Sequence, residues 1–125
     1  MQEDCYTVDV FSSTKVTAPA DSISEARRAF AGVWENGAWN GSHCHDLYVI
    51  EINEDGSAVV IDTHGPGNGS DATAFRRTAT FDEADRLVIV SGNSQRVYEL
   101  VEGELHAVER VGKSRERRAI LTRRT

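Results

Sequence analysis

The chain is poor in the residues that mark special classes. Its 125 residues include two cysteines, two prolines and one methionine, and aromatics make up 7%. Two cysteines exclude a disulfide-dense scaffold, and because neither stands in a Cys-x-x-Cys pair they exclude a thioredoxin-like redox motif and the usual zinc spacings. No apolar run approaches the roughly 18 residues that cross a bilayer, so no membrane insertion is expected. Catalytic signatures are equally scarce. There is no Gly-x-Ser-x-Gly elbow and no His-Glu-x-x-His helix, and the glycines after His64 lack the lysine and helix of a phosphate loop. Paired carboxylates such as Glu54-Asp55 and Asp82-Glu83 fall in turns, where solvated acids are the rule. We therefore expect neither an enzyme nor a cofactor.

What is present is an uneven charge. Residues 110 to 125 carry seven Arg or Lys against Glu116 alone and sum to +6, which leaves −12 on residues 1 to 109 within a net charge of −6. An acidic body does not suit nucleic acid, whose binding is driven by phosphate neutralisation. The basic end reads as a solvated final hairpin. The polar opening Met1-Gln2-Glu3-Asp4 is read as the mature end of an exported protein, giving an extracytoplasmic expectation, periplasmic or secreted. A Cys5–Cys44 disulfide fits that setting and would stabilise by roughly 4 kcal/mol in the chain-entropy model; two unpaired thiols in a cytosolic protein are the alternative.

Residues 1–20 read as an N-terminal arm, with Tyr6, Val8 and Val10 alternating with polar positions, and 21–125 as one domain. Ser22-Ile23-Ser24-Glu25 matches a capping box, with Ser22 as the cap, so a short helix is expected at about 22–31 with Ala26, Ala29 and Phe30 on its inner side. From Gly32 onward the chain predicts strands: 33–38, 44–53, 57–64, 73–81, 87–90, one containing Val97 to Leu100, one containing Leu105 to Val108, and one containing Ala119 to Arg123. Asn53-Glu54-Asp55-Gly56 and Glu102-Gly103 are hairpin turns. Eight short strands joined by short turns predict an all-β, antiparallel up-and-down barrel, whose closure removes exposed edges.

Gly32-Val33-Trp34 after a short helix, with the string Trp34 to Gly41, Leu47-Tyr48-Val49-Ile50-Glu51, Ala58-Val59-Val60 and Leu121-Thr122-Arg123, resembles small bacterial lipocalin-like barrels of the calycin superfamily over residues 30 to 125. The resemblance implies structural roles for Gly32, Trp34 and Arg123, with the arginine packed on the indole for about 0.5 to 2 kcal/mol. Small periplasmic inhibitors of metalloproteases are similar in size and opening signature.

In an up-and-down barrel alternate connections lie at opposite ends. The turns at 54–56, 82–85 and 102–103 share the helix end; the loops at 39–43, 65–72, 92–94 and 111–117 share the other, where barrels bind. His43, Cys44, His45 and His64 collect there, with His64 opposite residues 45 to 47. His43, His45 and His64 could share a metal near Asp46, Asp62 or Asp71, although no known ligand spacing supports it. Parity puts Phe75, Arg77, Ala79 and Phe81 on one face, and Tyr98 with Leu100, and Leu105 with Ala107, inward. Arg77 would then need a partner, either Glu109 or an anionic ligand, unless it reaches solvent at the rim. Trp39, Arg77 and Tyr98 are the candidate ligand contacts. Three functions follow as expectations. The first is a non-enzymatic binding barrel taking a small apolar or amphipathic ligand at its loop-rich mouth. The second is a protein-interaction or protease-inhibitor-like module using the N-terminal arm or rim loops. The third is a metal-binding rim.

Overall fold

The computed structural model describes residues 15–41, 43–65, 72–113 and 115–124. A short helix α1 (Glu25–Arg28) precedes eight strands: β1 (Gly32–Trp39), β2 (His43–Ile52), β3 (Ser57–His64), β4 (Thr73–Phe81), β5 (Leu87–Ser91), β6 (Ser94–Val101), β7 (Glu104–Val111) and β8 (Arg115–Arg123). The strands pair antiparallel in chain order and β8 returns to β1, closing the barrel. This is the expected up-and-down architecture. Eight half-apolar runs joined by turns too short for a crossover can bury one face only by curling into a ring. Among the described residues no helix is long and apolar enough to cross a membrane.

Two bulges decide which side chains point inward. In β1 the register passes from Trp34 opposite Leu47 to Gly37 opposite His45, so one residue is extra, and Asn36 takes the left-handed backbone at φ 66°. That slip turns both Trp34 and Trp39 into the core, although five positions apart they would otherwise face opposite ways. At Gly37 no side chain fits, since a Cβ would lie 2.5 Å from the His45 carbonyl oxygen and 2.7 Å from Leu121 Cγ. In β2 the register shifts between Val49 and Glu51, which keeps Leu47, Val49 and Ile52 all in the core.

The helix end is sealed by apolar packing. Ile23 and Phe30 enter the core from the segment around α1, and Phe30 meets Phe81 edge-on at 5.2 Å. Ser24, not Ser22, is the N-cap and accepts from the Arg27 amide. A turn closed by the Ile23 amide on the Ala20 carbonyl holds Ser22 out of helical register, and its hydroxyl donates to Glu54 instead. The helix is accordingly shorter than 22–31, and Ala26 and Ala29 are exposed, leaving Ile23 with Phe30 to do the burying.

Trp34 is fully buried and its Nε1 donates to the Phe30 carbonyl at 2.9 Å. The Arg123 guanidinium lies 4.3 Å from the Trp34 ring centroid and donates to the carbonyls of Ala31 at 2.7 Å and Ala29 at 2.5 Å. Carbonyls at the end of a helix have no partner within it, so the arginine satisfies them while covering the indole. Gly32 is required beside it: its φ is 133°, and a Cβ would come within 2.7 Å of Arg123 Nη1.

Replacing Arg123 with methionine keeps the aliphatic stem and removes the fork. We expect a loss of about 2 kcal/mol in urea unfolding, with Arg123→Lys recovering only part of it because an ammonium cannot span two carbonyls over a ring. A change below about 0.5 kcal/mol for the methionine variant would show that the clamp contributes nothing.

Candidate functional site

The inner wall changes character one step toward the mouth. On β3 Val60 gives way to Asp62 and His64, on β4 Ala79 to Arg77, on β6 Tyr98 to Arg96, on β7 Ala107 to Glu109, and on β8 Ala119 to Arg117. Strand alternation forces this, because residues two apart share a face. The result is a charged layer across the open end.

Five of these side chains form one chain of ion pairs. Arg77 Nε donates to Asp62 Oδ2 at 2.6 Å, and Arg96 Nη1 donates to the same oxygen at 2.7 Å. Arg96 Nε reaches Glu109 Oε2 at 3.1 Å, and Arg117 grips Glu109 Oε1 through Nε at 2.8 Å and Nη2 at 2.5 Å. Arg96, Glu109 and Arg117 are direct register partners on β6, β7 and β8, so the ladder itself sets this half of the chain. Asp62 is fully buried, while Arg96 and Glu109 are 6% and 5% exposed. Removing such charges from water costs several kcal/mol per ion and is offset only by hydrogen bonds of this quality. The offset is incomplete at Asp62 Oδ1, which is buried and receives no donor among the described residues.

Beside the ion pairs stand aromatic rings. Trp39 stacks on His45 at 5.0 Å, His45 on His64 at 4.6 Å, and His43 lies 5.6 Å from His64. Partners assign the tautomers. His45 Nδ1–H donates to the Thr63 carbonyl and Nε2 accepts from the Tyr98 hydroxyl, each at 2.8 Å. His43 Nε2–H donates to the Gly65 carbonyl at 2.9 Å and Nδ1 accepts from Arg117 Nη1 at 3.2 Å. Burial, then the neighbouring His64, hold His45 well below the usual imidazole range. Burial first and the Arg96 charge second bring His64 down to about 4. Burial likewise pushes the Tyr98 phenol up.

The residues singled out in sequence meet here unequally. Trp39 and Tyr98 are fully buried in the layer, with Arg117 5.3 Å over the indole, so neither presents a surface to solvent. Arg77 keeps 26% of its side chain exposed, lies 5.2 Å from the Phe75 ring and also reaches Ser91. Its partner is Asp62 on the adjacent strand and not Glu109, which β7 holds opposite Arg96 and Arg117. Phe75 shares the inward parity but stands half exposed at the rim, beyond the last layer it could pack against. His43, His45 and His64 do come together. The ring nitrogens of His43 and His45 are all engaged, and no group of three or more His, Cys, Asp or Glu set to hold a metal occurs among the described residues. Asp71 and Cys5 lie outside the described residues; Cys44 is buried on β2. Arg96 and Arg117 were not among the expected site residues. A signal for them exists: each lies two positions mouthward of an inward apolar or aromatic residue, Tyr98 and Ala119.

A cavity of about 240 Å³ opens at the rim, lined by His43, Glu109, Val111, Arg115 and Arg117. Two others lie elsewhere, one of about 220 Å³ on the outer wall over Val97 and Val108, and one of about 290 Å³ at the helix end near Arg27 and Glu54. Comparisons with protein-family models, with curated proteins and with solved structures return no match to this chain.

Two outcomes test the layer. Folded His45 and His64 are held neutral, whereas the unfolded chain takes up protons near the ordinary imidazole value, so acid favours unfolding. The part due to His64 is complete above about pH 6.5 and is lost as pH falls toward about 4. It should appear in urea titrations as a decline of about 2 kcal/mol across that window, and His64→Phe should make the decline shallower, leaving the part due to His45; an unchanged pH profile in the variant would exclude His64 as a source. Arg96→Met leaves two buried carboxylates short of a partner and should cost about 3 to 5 kcal/mol by the same measurement, a cost below about 1 kcal/mol being incompatible with the ion-pair chain.

Proposed function

We propose that the protein is a non-enzymatic, calycin-like binding barrel that takes a small amphipathic molecule at its loop-rich mouth. The observation that carries this reading is the rim cavity of about 240 Å³, which opens beside side chains already fixed by ion pairs. Donors held in place before a ligand arrives need not be ordered on binding, which favours affinity. The volume falls below the roughly 300 Å³ of drug-sized sites and suits a small molecule, or one end of a longer one. Trp39, Leu47 and Tyr98 fill the barrel beneath, which keeps the ligand at the mouth. A wholly apolar ligand would strip water from Arg115 and Arg117 without replacing its hydrogen bonds, so an amphipathic ligand is the better fit. On this reading Arg115 and Arg117 on the cavity wall touch the ligand, Arg77 stands outside that lining, and Trp39 and Tyr98 are buried behind.

Against catalysis stands the fate of one pair able to move protons. His45 and Tyr98 are buried and bonded to each other, and the other His45 nitrogen is taken by Thr63. We further infer an extracytoplasmic setting with Cys5 bridged to Cys44; in support, Cys44 is not a free thiol. Intact-mass measurement should show the protein lighter by two hydrogens before reduction. A second reading, docking of a protein partner through the rim, draws on Phe75 and Val90, which are 50% and 67% exposed.

Nuclear magnetic resonance titration with a panel of small amphipathic molecules tests the main reading. Binders should move the amide signals of residues 43–45 and 109–117 and raise the thermal midpoint. Binders that move only the outer wall around Val97 and Val108, or only the helix end, would overturn it.

A further inference from the structure

The rim cavity carries an excess of positive charge on a chain that is acidic overall. Arg77, Arg96 and Arg117 face only Asp62 and Glu109, and each carboxylate is divided between two guanidiniums. Beside them His45 is held neutral by burial, its two ring nitrogens bonded to Thr63 and Tyr98. Arg115 then adds a further cation to the cavity wall and makes no ion pair or side-chain hydrogen bond among the described residues. Of the other basic residues of this end, Arg110 and Arg118 share Glu116, whereas Lys113 in the β7–β8 turn makes no ion pair among the described residues and adds to the positive charge of the mouth. Unbalanced positive charge is thereby concentrated at one half-enclosed spot on a chain of net charge −6. Low-dielectric walls strengthen the field there.

We propose that this cavity is an oxyanion site, in which Arg115 and Arg117, with the His43 ring beside them, receive the phosphoryl or carboxylate head group of the ligand. The inference rests on the mouth-binding reading and gives that ligand its charge. Arg117 is held by Glu109 and His43 in a fixed orientation, so its fork is positioned before an anion arrives, while Arg115 is free to close on it. Val111 supplies an apolar wall for the first carbons behind the head group. The field that attracts the anion also acts on the imidazoles, since the Arg96 charge lowers both His45 and His64.

The test is a titration at constant, low ionic strength with inorganic phosphate, with acetate and with uncharged propanol, followed by the His43 ring and Arg side-chain resonances. Saturable shifts with phosphate or acetate are expected, and whichever binds more tightly identifies the head group. Arg115→Gln should weaken that binding about tenfold while leaving the thermal midpoint of the free protein unchanged, because Arg115 supports nothing else. Arg110→Gln, on the outer wall, should bind as the parent does. Absence of saturable shifts with either anion, or equal binding by Arg115→Gln, overturns the oxyanion site. If propanol or other neutral amphipaths move the same mouth signals while the anions do not, the mouth still binds and only the charge assignment fails.

Discussion

The seam between β1 and β8 is the point at which eight strands become a barrel, and backbone pairing alone holds it weakly. Only Trp34 with Arg123 and Glu35 with Thr122 face each other there as register partners. The bulge at Asn36 breaks the ladder above them. Side chains make up the difference. Asn36 Nδ2 donates to the Thr122 hydroxyl, and beyond it Asn40 exchanges two bonds with Arg118, its amide donating to the Arg118 carbonyl at 2.8 Å and its Oδ1 accepting from the Arg118 amide at 3.0 Å. At the other end the Arg124 amide donates to the Val33 carbonyl while Arg123 clamps the helix and the indole. Of the basic residues in the final hairpin and the chain end, Arg123 and Arg124 cross the seam with their side chains, Arg124 pairing with Glu35, whereas Arg118 crosses it through its backbone.

Closing the seam also fixes what the two ends can be. Near the helix the barrel tapers onto Ile23, Phe30 and Trp34, and apolar surface is all that such an end needs. At the mouth the ladder brings Arg96, Glu109 and Arg117 into line whether or not a ligand is present. Buried ion pairs of this kind are poor stabilisers, since apolar residues of the same volume would do as well or better. What they provide is orientation, each guanidinium plane being set by the carboxylate it grips.

Much of this was readable in the chain. The bounds of β3 and β4 coincide with the expected 57–64 and 73–81, because Asn53 to Gly56 and the acidic turn from Asp82 leave the hairpins little freedom of register. The inward pairs around Tyr98 and Ala107 followed from alternation alone. The bulges did not follow. An extra residue in a strand has no side-chain signature, and only Asn36-Gly37, tolerant of left-handed backbone, hinted at one. The helix was overextended because the spacing of Ser22 and Glu25 satisfies the local rule, whereas burial of Ile23 decides the matter. The charged layer was missed for a related reason. Arg96 and Arg117 look like solvent-facing charges when each strand is read alone, and only closure reveals that they share the inside with Glu109.

Closure explains the asymmetry of the molecule as well. In the charged layer three guanidiniums serve two carboxylates, and Asp62 Oδ1 lacks a donor among the described residues. Both features lie at the end that carries the long β3–β4 connection and the rim cavity. Had the layer served only to plug the barrel, a leucine or phenylalanine at 62, 96 and 109 would have done so without the desolvation cost. What the ion pairs supply instead is geometry: the Arg96 and Arg117 guanidiniums are set by the carboxylates they grip, while Arg115 stands on the cavity wall without an ion pair among the described residues.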